Sequence, residues 1–300
     1  MLTFVISLSG LLAFCALVGY ILTRISLNPR TWDYDESYKN EVDSERIDDS
    51  WFRSLTREDV YIQSRDGLKL HGLWFPVEGS QKSVILSHGY SYSLFGAVKY
   101  MKIFHDRGFN TLLIDHRYHG LSEGKVCTMG HKEKMDHVSW VNWIEDRVGR
   151  DTVIGTHGES MGAATALLHG ETDERVHFII ADCAFQSLSD QFKYRLKVDY
   201  KLPAFPLLYL GNLFTRLRAG LFYGEVSPLK AVKKIKVPVL FIHGKADDYT
   251  TPSNSINLQK AKSGPGFIYL VPEAGHTESY ETDPENYRKV VNRFLDNTGV

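Results

Sequence analysis

The stretch TVIGTHGESMGAATAL, Thr152 to Leu167, decides how the chain folds. Thr152–Thr156 is a short β-prone run, and Ala163–Leu167 is rich in helix formers. Between them stands Gly158-Glu159-Ser160-Met161-Gly162, a G-x-S-x-G pattern at a strand-to-helix junction. The serine of such a turn is strained, and side chains at 158 and 162 would collide with neighbouring elements, so both positions call for glycine. The turn lifts the hydroxyl above the sheet and turns the positive end of the following helix toward any negative charge that develops there. Ser160 is therefore the candidate nucleophile. The plain alternative is a serine that only caps a helix.

The same alternation extends outward in both directions. Val60–Gln63 and Leu68–Phe75 are β-rich runs joined at Asp66-Gly67, a hairpin signal. Short apolar runs closed by turn residues follow at Ser83–Ser87, Thr111–Asp115, Phe178–Ala181, Val237–Ile242 and Phe267–Val271, as suits parallel strands buried on both faces. Helix-period segments lie between, at Leu94–Asp106, His131–Glu145, Met161–His169 and Asp283–Asp296. The pattern predicts an α/β fold with a mostly parallel sheet that starts with an antiparallel hairpin. Residues 186–236 interrupt it. They are more apolar than a surface connection needs, as at Leu202–Gly211 and Leu221–Tyr223, and carry ten Lys/Arg against Asp190, Asp199 and Glu225, a net of +7. Two readings stand: helices covering a sheet edge, or a cap that forms an acyl or alcohol pocket over the site.

A serine hydroxyl is unreactive near neutral pH unless a base takes its proton and a third group orients that base. With the serine on such a turn, the expected chain order is serine, acid, histidine. His276 follows the last strand run and precedes the last helix, so it is the candidate base. Asp247, in a strand-end turn after Val237–Ile242, is the favoured acid, because its separation from His276 leaves room for one helix and one strand. The alternatives are Asp248, expected to face solvent, and Asp182, expected to brace the sheet end. The oxyanion needs two backbone N–H donors. Met161, the residue after the nucleophile, and Tyr90, in the turn His88-Gly89-Tyr90, are the candidates. His88 is expected to hold that turn rather than act as a second base, and Asp115, Arg117 and Ser122 to tie the loop after the fourth strand.

Taken together, His88-Gly89, the Asp115–Gly124 run, Gly158–Gly162, His243–Asp247 and Gly275-His276 resemble the α/β-hydrolase superfamily. Within it, the chain looks most like the bacterial esterase, monoacylglycerol-lipase and serine-aminopeptidase-like branch with an N-terminal membrane segment. The resemblance covers residues 56–298 and implies an eight-stranded sheet, a serine-hydrolase triad and no cofactor. Thr250-Thr251-Pro252 departs from the pattern of relatives, where an apolar residue tends to stand directly before Pro, and so loosens the placement of Asp247.

Composition narrows the function further. With 35 Lys+Arg against 36 Asp+Glu the net charge is −1, without the basic excess of a nucleic-acid binder, and 43% apolar residues exclude disorder. Three scattered cysteines and the lack of an H-E-x-x-H pair argue against a metal site, although His116 and His119 lie close together. Leu2–Leu22 carries no charge and as a helix would reach about 31 Å, enough for a bilayer core. No basic residue precedes it and it is long for a cleaved signal. The expected organisation is a transmembrane anchor at 1–24, an acidic juxtamembrane linker at 25–55 and a hydrolase domain at 56–300, with 186–236 as its cap. The expected location is the cell membrane, by a single pass. The expected function is a serine hydrolase that cleaves carboxylic ester or thioester bonds through an acyl-enzyme, on acyl or lipid-like substrates near a membrane, with membrane lipid as a partner. A peptidase or amidase of the same fold, and a non-catalytic lipid-binding protein, are the alternatives.

Overall fold

The computed structural model describes residues 2–300, with side chains described from Ser9 onward. Eight strands make one sheet: β1 (Glu58–Gln63), β2 (Lys69–Phe75), β3 (Lys82–Ser87), β4 (Asn110–Ile114), β5 (Val153–Glu159), β6 (Val176–Asp182), β7 (Val239–Gly244) and β8 (Gly266–Val271). Their order is β1-β2-β4-β3-β5-β6-β7-β8. β2 runs antiparallel to β1 and β4, and every later pair is parallel. Parallel neighbours require crossovers, which the helices supply. In chain order these are α1 (Leu2–Leu27), α2 (Tyr34–Asp43), α3 (Asp49–Ser54), α4 (Val98–His105), α5 (Glu133–Val148), α6 (Met161–Gly170), α7 (Leu188–Asp199), α8 (Leu207–Ala219), α9 (Pro228–Ala231), α10 (Ser253–Ala261), α11 (Ser279–Thr282) and α12 (Pro284–Thr298).

Alternate strand residues face opposite sides, and the core divides accordingly. Val84, Leu86, Ile180, Leu240 and Ile242 pack with Phe52, Tyr100, Phe104, Tyr287 and Phe294 of α3, α4 and α12. On the other face Ile85, Leu112 and Ile154 meet Trp140 and Ile144 of α5. Ile179, Val239 and Phe241 meet Ala163 and Leu167 of α6 there too. The result is three layers, helix on sheet on helix.

Each of the eight expected strands is present. β5 runs on to Glu159, past the expected end at Thr156, because Gly158 and Glu159 keep pairing with Ala181 and Asp182 of β6. That extension carries Ser160 to the carboxyl edge of the sheet. The segment expected to be a linker is folded over 34–54. Asp33 accepts hydrogen bonds from the Asp35 and Glu36 N–H groups and so caps α2, while Asp48 caps α3 through Trp51 N–H. Buried Glu41 pairs with Arg46 at 2.8 Å and accepts from the Tyr92 hydroxyl at 2.6 Å. Among the acids of the expected linker, Asp33 and Asp48 are caps and Glu41 is a buried partner, and Phe52 beside them is fully buried. Residues Ser9–Leu27 of α1 form one helix long and apolar enough to cross a membrane.

Candidate active site

The turn between β5 and α6 puts Ser160 at φ 53°, a left-handed conformation that an L residue adopts only under strain. Its backbone N–H donates to Asp182 O at 2.8 Å. A Cβ added at Gly158 would stand 2.3 Å from the Gly162 carbonyl carbon, and one at Gly162 would stand 2.4 Å from Ser87 O. Both glycines are there because β3, β5 and α6 meet with no room for a side chain.

From this turn a hydrogen-bonded chain runs across the sheet ends. Ser160 Oγ lies 2.9 Å from His276 Nε2, and His276 Nδ1 lies 2.7 Å from Asp247 Oδ2. Because Nδ1 donates to a carboxylate, Nε2 is left with a lone pair that can accept a hydrogen bond from the serine hydroxyl. Asp247 sits in the loop after β7 and His276 in the loop after β8. Burial pushes the Asp247 carboxyl up, but hydrogen bonds from His243, His276 and Thr250 N–H outweigh it and hold the group at about 2. Asp248 is exposed. Asp182 braces the end of β6, accepting from the Ser279 and Tyr287 hydroxyls at 3.0 and 3.1 Å.

Three surrounding features were not legible in the sequence. His243 gives Asp247 a second imidazole: its Nε2 donates to Thr250 O at 2.5 Å and reaches Asp247 Oδ2 at 3.1 Å, while Nδ1 accepts from the Ser255 hydroxyl. Thr250, the departure noted above, serves through its backbone, donating its N–H to Asp247 Oδ1 at 2.8 Å. Tyr249 packs tilted against the His276 ring, centroids 4.8 Å apart, and the Arg195 guanidinium of α7 lies 4.1 Å from the Tyr249 ring centroid. Each depends on how a loop closes in space, which leaves no spacing to find.

The turn after β3 passes beside the serine, so that a Cβ at Gly89 would lie 3.6 Å from Ser160 Cβ. Tyr90 lines the cavity that Ser160 and Met161 share. Met161 opens α6, where a backbone N–H has no acceptor within the helix. His88 Nδ1 donates to Gly89 O at 2.7 Å and its Nε2 accepts from His116 N–H at 3.0 Å, so the ring locks the turn. Asp115 accepts from Leu94 and Leu121 N–H, Arg117 grips Asp136 and Asp66, and the Ser122 hydroxyl donates to Asp115 O. Cys183, Asp247 and His276 bring their donor atoms within 4.8 Å of one another. Burial pushes the Cys183 thiol up, and the Asp247 and His276 atoms of this group bond each other at 2.7 Å.

The cavity in front of Ser160 holds about 400 Å³ and is mostly apolar. Phe192 and Leu196 of α7, Leu207 and Leu208 of α8, and Val18 and Leu22 of α1 line it.

A serine on a strained strand–helix turn, over an eight-stranded α/β sheet, defines a hydrolase scaffold. The sequence model for the alpha/beta hydrolase fold matches residues 82–219. The chain is 36% identical to the Bacillus subtilis protein YqkD over 282 residues, 93% of this chain and 92% of that protein. It is 26% identical to the alpha/beta hydrolase domain-containing protein WAV2 of Arabidopsis thaliana, over 81% of this chain and 80% of that one. Among solved structures, a Pyrococcus furiosus esterase superposes with a TM-score of 0.68 and 28% identity, covering 81% of this chain and 92% of the esterase. An acylaminoacyl peptidase of Pyrococcus horikoshii, 15% identical with a TM-score of 0.62, shares the fold; 83% of this chain and 43% of the peptidase are covered. The chain belongs to the α/β-hydrolase fold family, and its likeness to an esterase supports hydrolase activity.

Proposed function

We propose that the protein is a membrane-anchored serine esterase that cleaves carboxylic ester or thioester bonds of acyl substrates through an acyl-enzyme. The observation that carries this reading is the chain Ser160–His276–Asp247, at 2.9 and 2.7 Å, opening into an apolar cavity. Ser160 Oγ attacks the carbonyl carbon as its proton passes to His276 Nε2, and the carbonyl electron pair moves to oxygen. Tyr90 and Met161 N–H groups receive that oxyanion. Collapse breaks the bond to the alcohol or thiol, which leaves with the proton from His276. Water repeats the sequence and frees the acid. Asp247, ionised well below neutral pH, holds the imidazolium through the cycle.

The anchor is residues 1–24 and the hydrolase domain, with its cap at 186–236, is the remainder, with 34–54 counted as part of the folded body. A fluorophosphonate probe tests the reading. Wild type in membranes should label and Ser160→Ala should not. Folded wild type that neither labels nor hydrolyses p-nitrophenyl butyrate would sink it. Faster turnover of aminoacyl anilides than of esters would replace it with a peptidase.

A further inference from the structure

The N-terminal helix is fastened to the catalytic body rather than tethered to it. Gly19 of α1 meets the Phe214 ring of α8 so closely that an added Cβ would stand 2.2 Å from Cδ2, and a small residue here lets the two helices pack tightly. Arg218 of α8 donates to Thr23 Oγ1 and Asn28 Oδ1, both at 2.7 Å. The Tyr90 hydroxyl donates to Ile25 O at 2.9 Å, and Cys127 N–H to Leu27 O at 2.8 Å. The end of α1 is therefore held by the cap, by the turn beside Ser160 and by the loop before α5.

Docked in this way, α1 becomes a wall of the site. Val18, Ile21, Leu22, Ile25 and Ser26 line the cavity, spaced i, i+3, i+4, i+7 and i+8, a single stripe of the helix about 12 Å long. Five cavity-lining side chains, Ile21, Ile25, Tyr200, Leu202 and Tyr249, are large, apolar or aromatic, and exposed, with Asp199 the exposed charge among them, so the mouth is rimmed mostly by apolar side chains. The adjoining surface continues that character. Phe205, Tyr209, Leu213 and Leu217 repeat every four residues along α8 and its approach, each between 50% and 75% exposed. Leu12, Phe14 and Leu17 of α1 are exposed as well. An apolar stripe of this size on a soluble surface would be an aggregation hazard; beside a membrane-spanning helix it is a bilayer contact. Lys193, Lys197 and Lys201, on and just after α7, add positive charge suited to an anionic headgroup layer.

We infer that the mouth opens sideways into the leaflet that holds α1 and α8, and that the acyl chain of a membrane-resident lipid ester enters from the bilayer and lies against the Val18–Ser26 stripe. The inference rests on the esterase reading and deepens it by naming the substrate class and its route. A lipid arriving this way never crosses water, and its ester reaches Ser160 at the inner end of the cavity.

The full chain in phospholipid vesicles, with 1-palmitoyl and 1-butyryl glycerol as substrates, tests it. Val18→Trp fills the wall and should lower the palmitoyl-to-butyryl ratio of kcat/KM at least tenfold. Leu17→Trp, one residue away and facing lipid, should leave the ratio within twofold. Equal responses of the two variants, or none, overturn the inference. Leu22→Trp, on the same stripe, should lower the ratio likewise and covers the case in which Val18→Trp fails to fold; an unchanged ratio in folded Leu22→Trp protein overturns the inference. A second readout is independent of turnover. Ser160→Ala protein in vesicles containing a diazirine-bearing palmitoyl glycerol should crosslink on Val18, Leu22 or Ile25, and crosslinks confined to Leu12, Phe14 and Leu17 overturn the lateral cavity. Crosslinks on the inner stripe with no fluorophosphonate labelling of wild type would leave the cavity standing and remove the esterase reading alone.

Discussion

Asp247→Asn is the sharpest test of how single side chains share the chemistry. An amide can present either end to His276, which then loses the tautomer that Nδ1–H···Oδ2 imposes at 2.7 Å. Hydrolysis should fall by about 10⁴ in kcat with the fold retained, as measured by single-turnover kinetics alongside circular dichroism. Gly162→Ala should act through position instead. Its methyl would stand 2.4 Å from Ser87 O, so the turn must shift, and fluorophosphonate labelling should disappear although every member of the hydrogen-bonded chain is still present. These residues could be read from the chain because each belongs to a local pattern: a turn that demands glycine, or a loop that closes a strand. His243 and Tyr249 could not. An imidazole near the end of a strand looks the same whether or not it bonds the acid four residues on, and an aromatic in a loop does not announce which ring it will stack upon.

At the scale of elements, the joint between α4, β5 and α11 is a buried charge cluster. Lys99 lies 2.7 Å from Glu159 and 2.8 Å from Glu281, nearly out of reach of solvent. Burial alone would push the Lys99 ammonium down, but the two carboxylates overcome this and keep it protonated. Lys99→Met would strand Glu159 without a cation and should cost about 3–5 kcal/mol in denaturant unfolding. Adding Glu159→Gln should recover part of that loss; no recovery would mean that packing, not charge, is at stake. The strands were legible because short apolar runs between turn residues leave few other choices. α2 and α3 were not, since acids at helix caps and acids in a solvated tether have the same composition. What separates them is the burial of Phe52 and Glu41, which exists only once the sheet is there to bury them.

Across the whole molecule, the histidines set the response to pH. His119, His88, His116, His137 and His169 make ring-to-ring contacts in that order through the interior. Burial holds each below its ordinary value, with the neighbouring rings adding to the effect at several of them. The unfolded chain therefore binds more protons than the native one once pH drops below about 6.5, and stability should fall as pH falls. Asp182 and Asp136, each raised to about 6 chiefly by burial, act in the opposite direction, favouring the native state as they protonate. His157 and His131 are likewise held low by burial, and Glu281 is likewise raised by it. Seven histidines outweigh three carboxyls, so Tm should decline between pH 6.5 and 5, and a flat or rising Tm there would show that the carboxyls dominate. By itself, the amino-acid sequence determined the succession of the eight strands, the helices α4, α5, α6 and α12 among them, and the glycine-flanked turn at Ser160, because periodicity and turn chemistry act over a few residues. The tertiary structure alone decided that α1 lines the cavity and that α8 meets it, that His243 backs Asp247, and that five histidines share one interior. Apolar and imidazole side chains can pack against many partners, and only the docking of distant elements selects one.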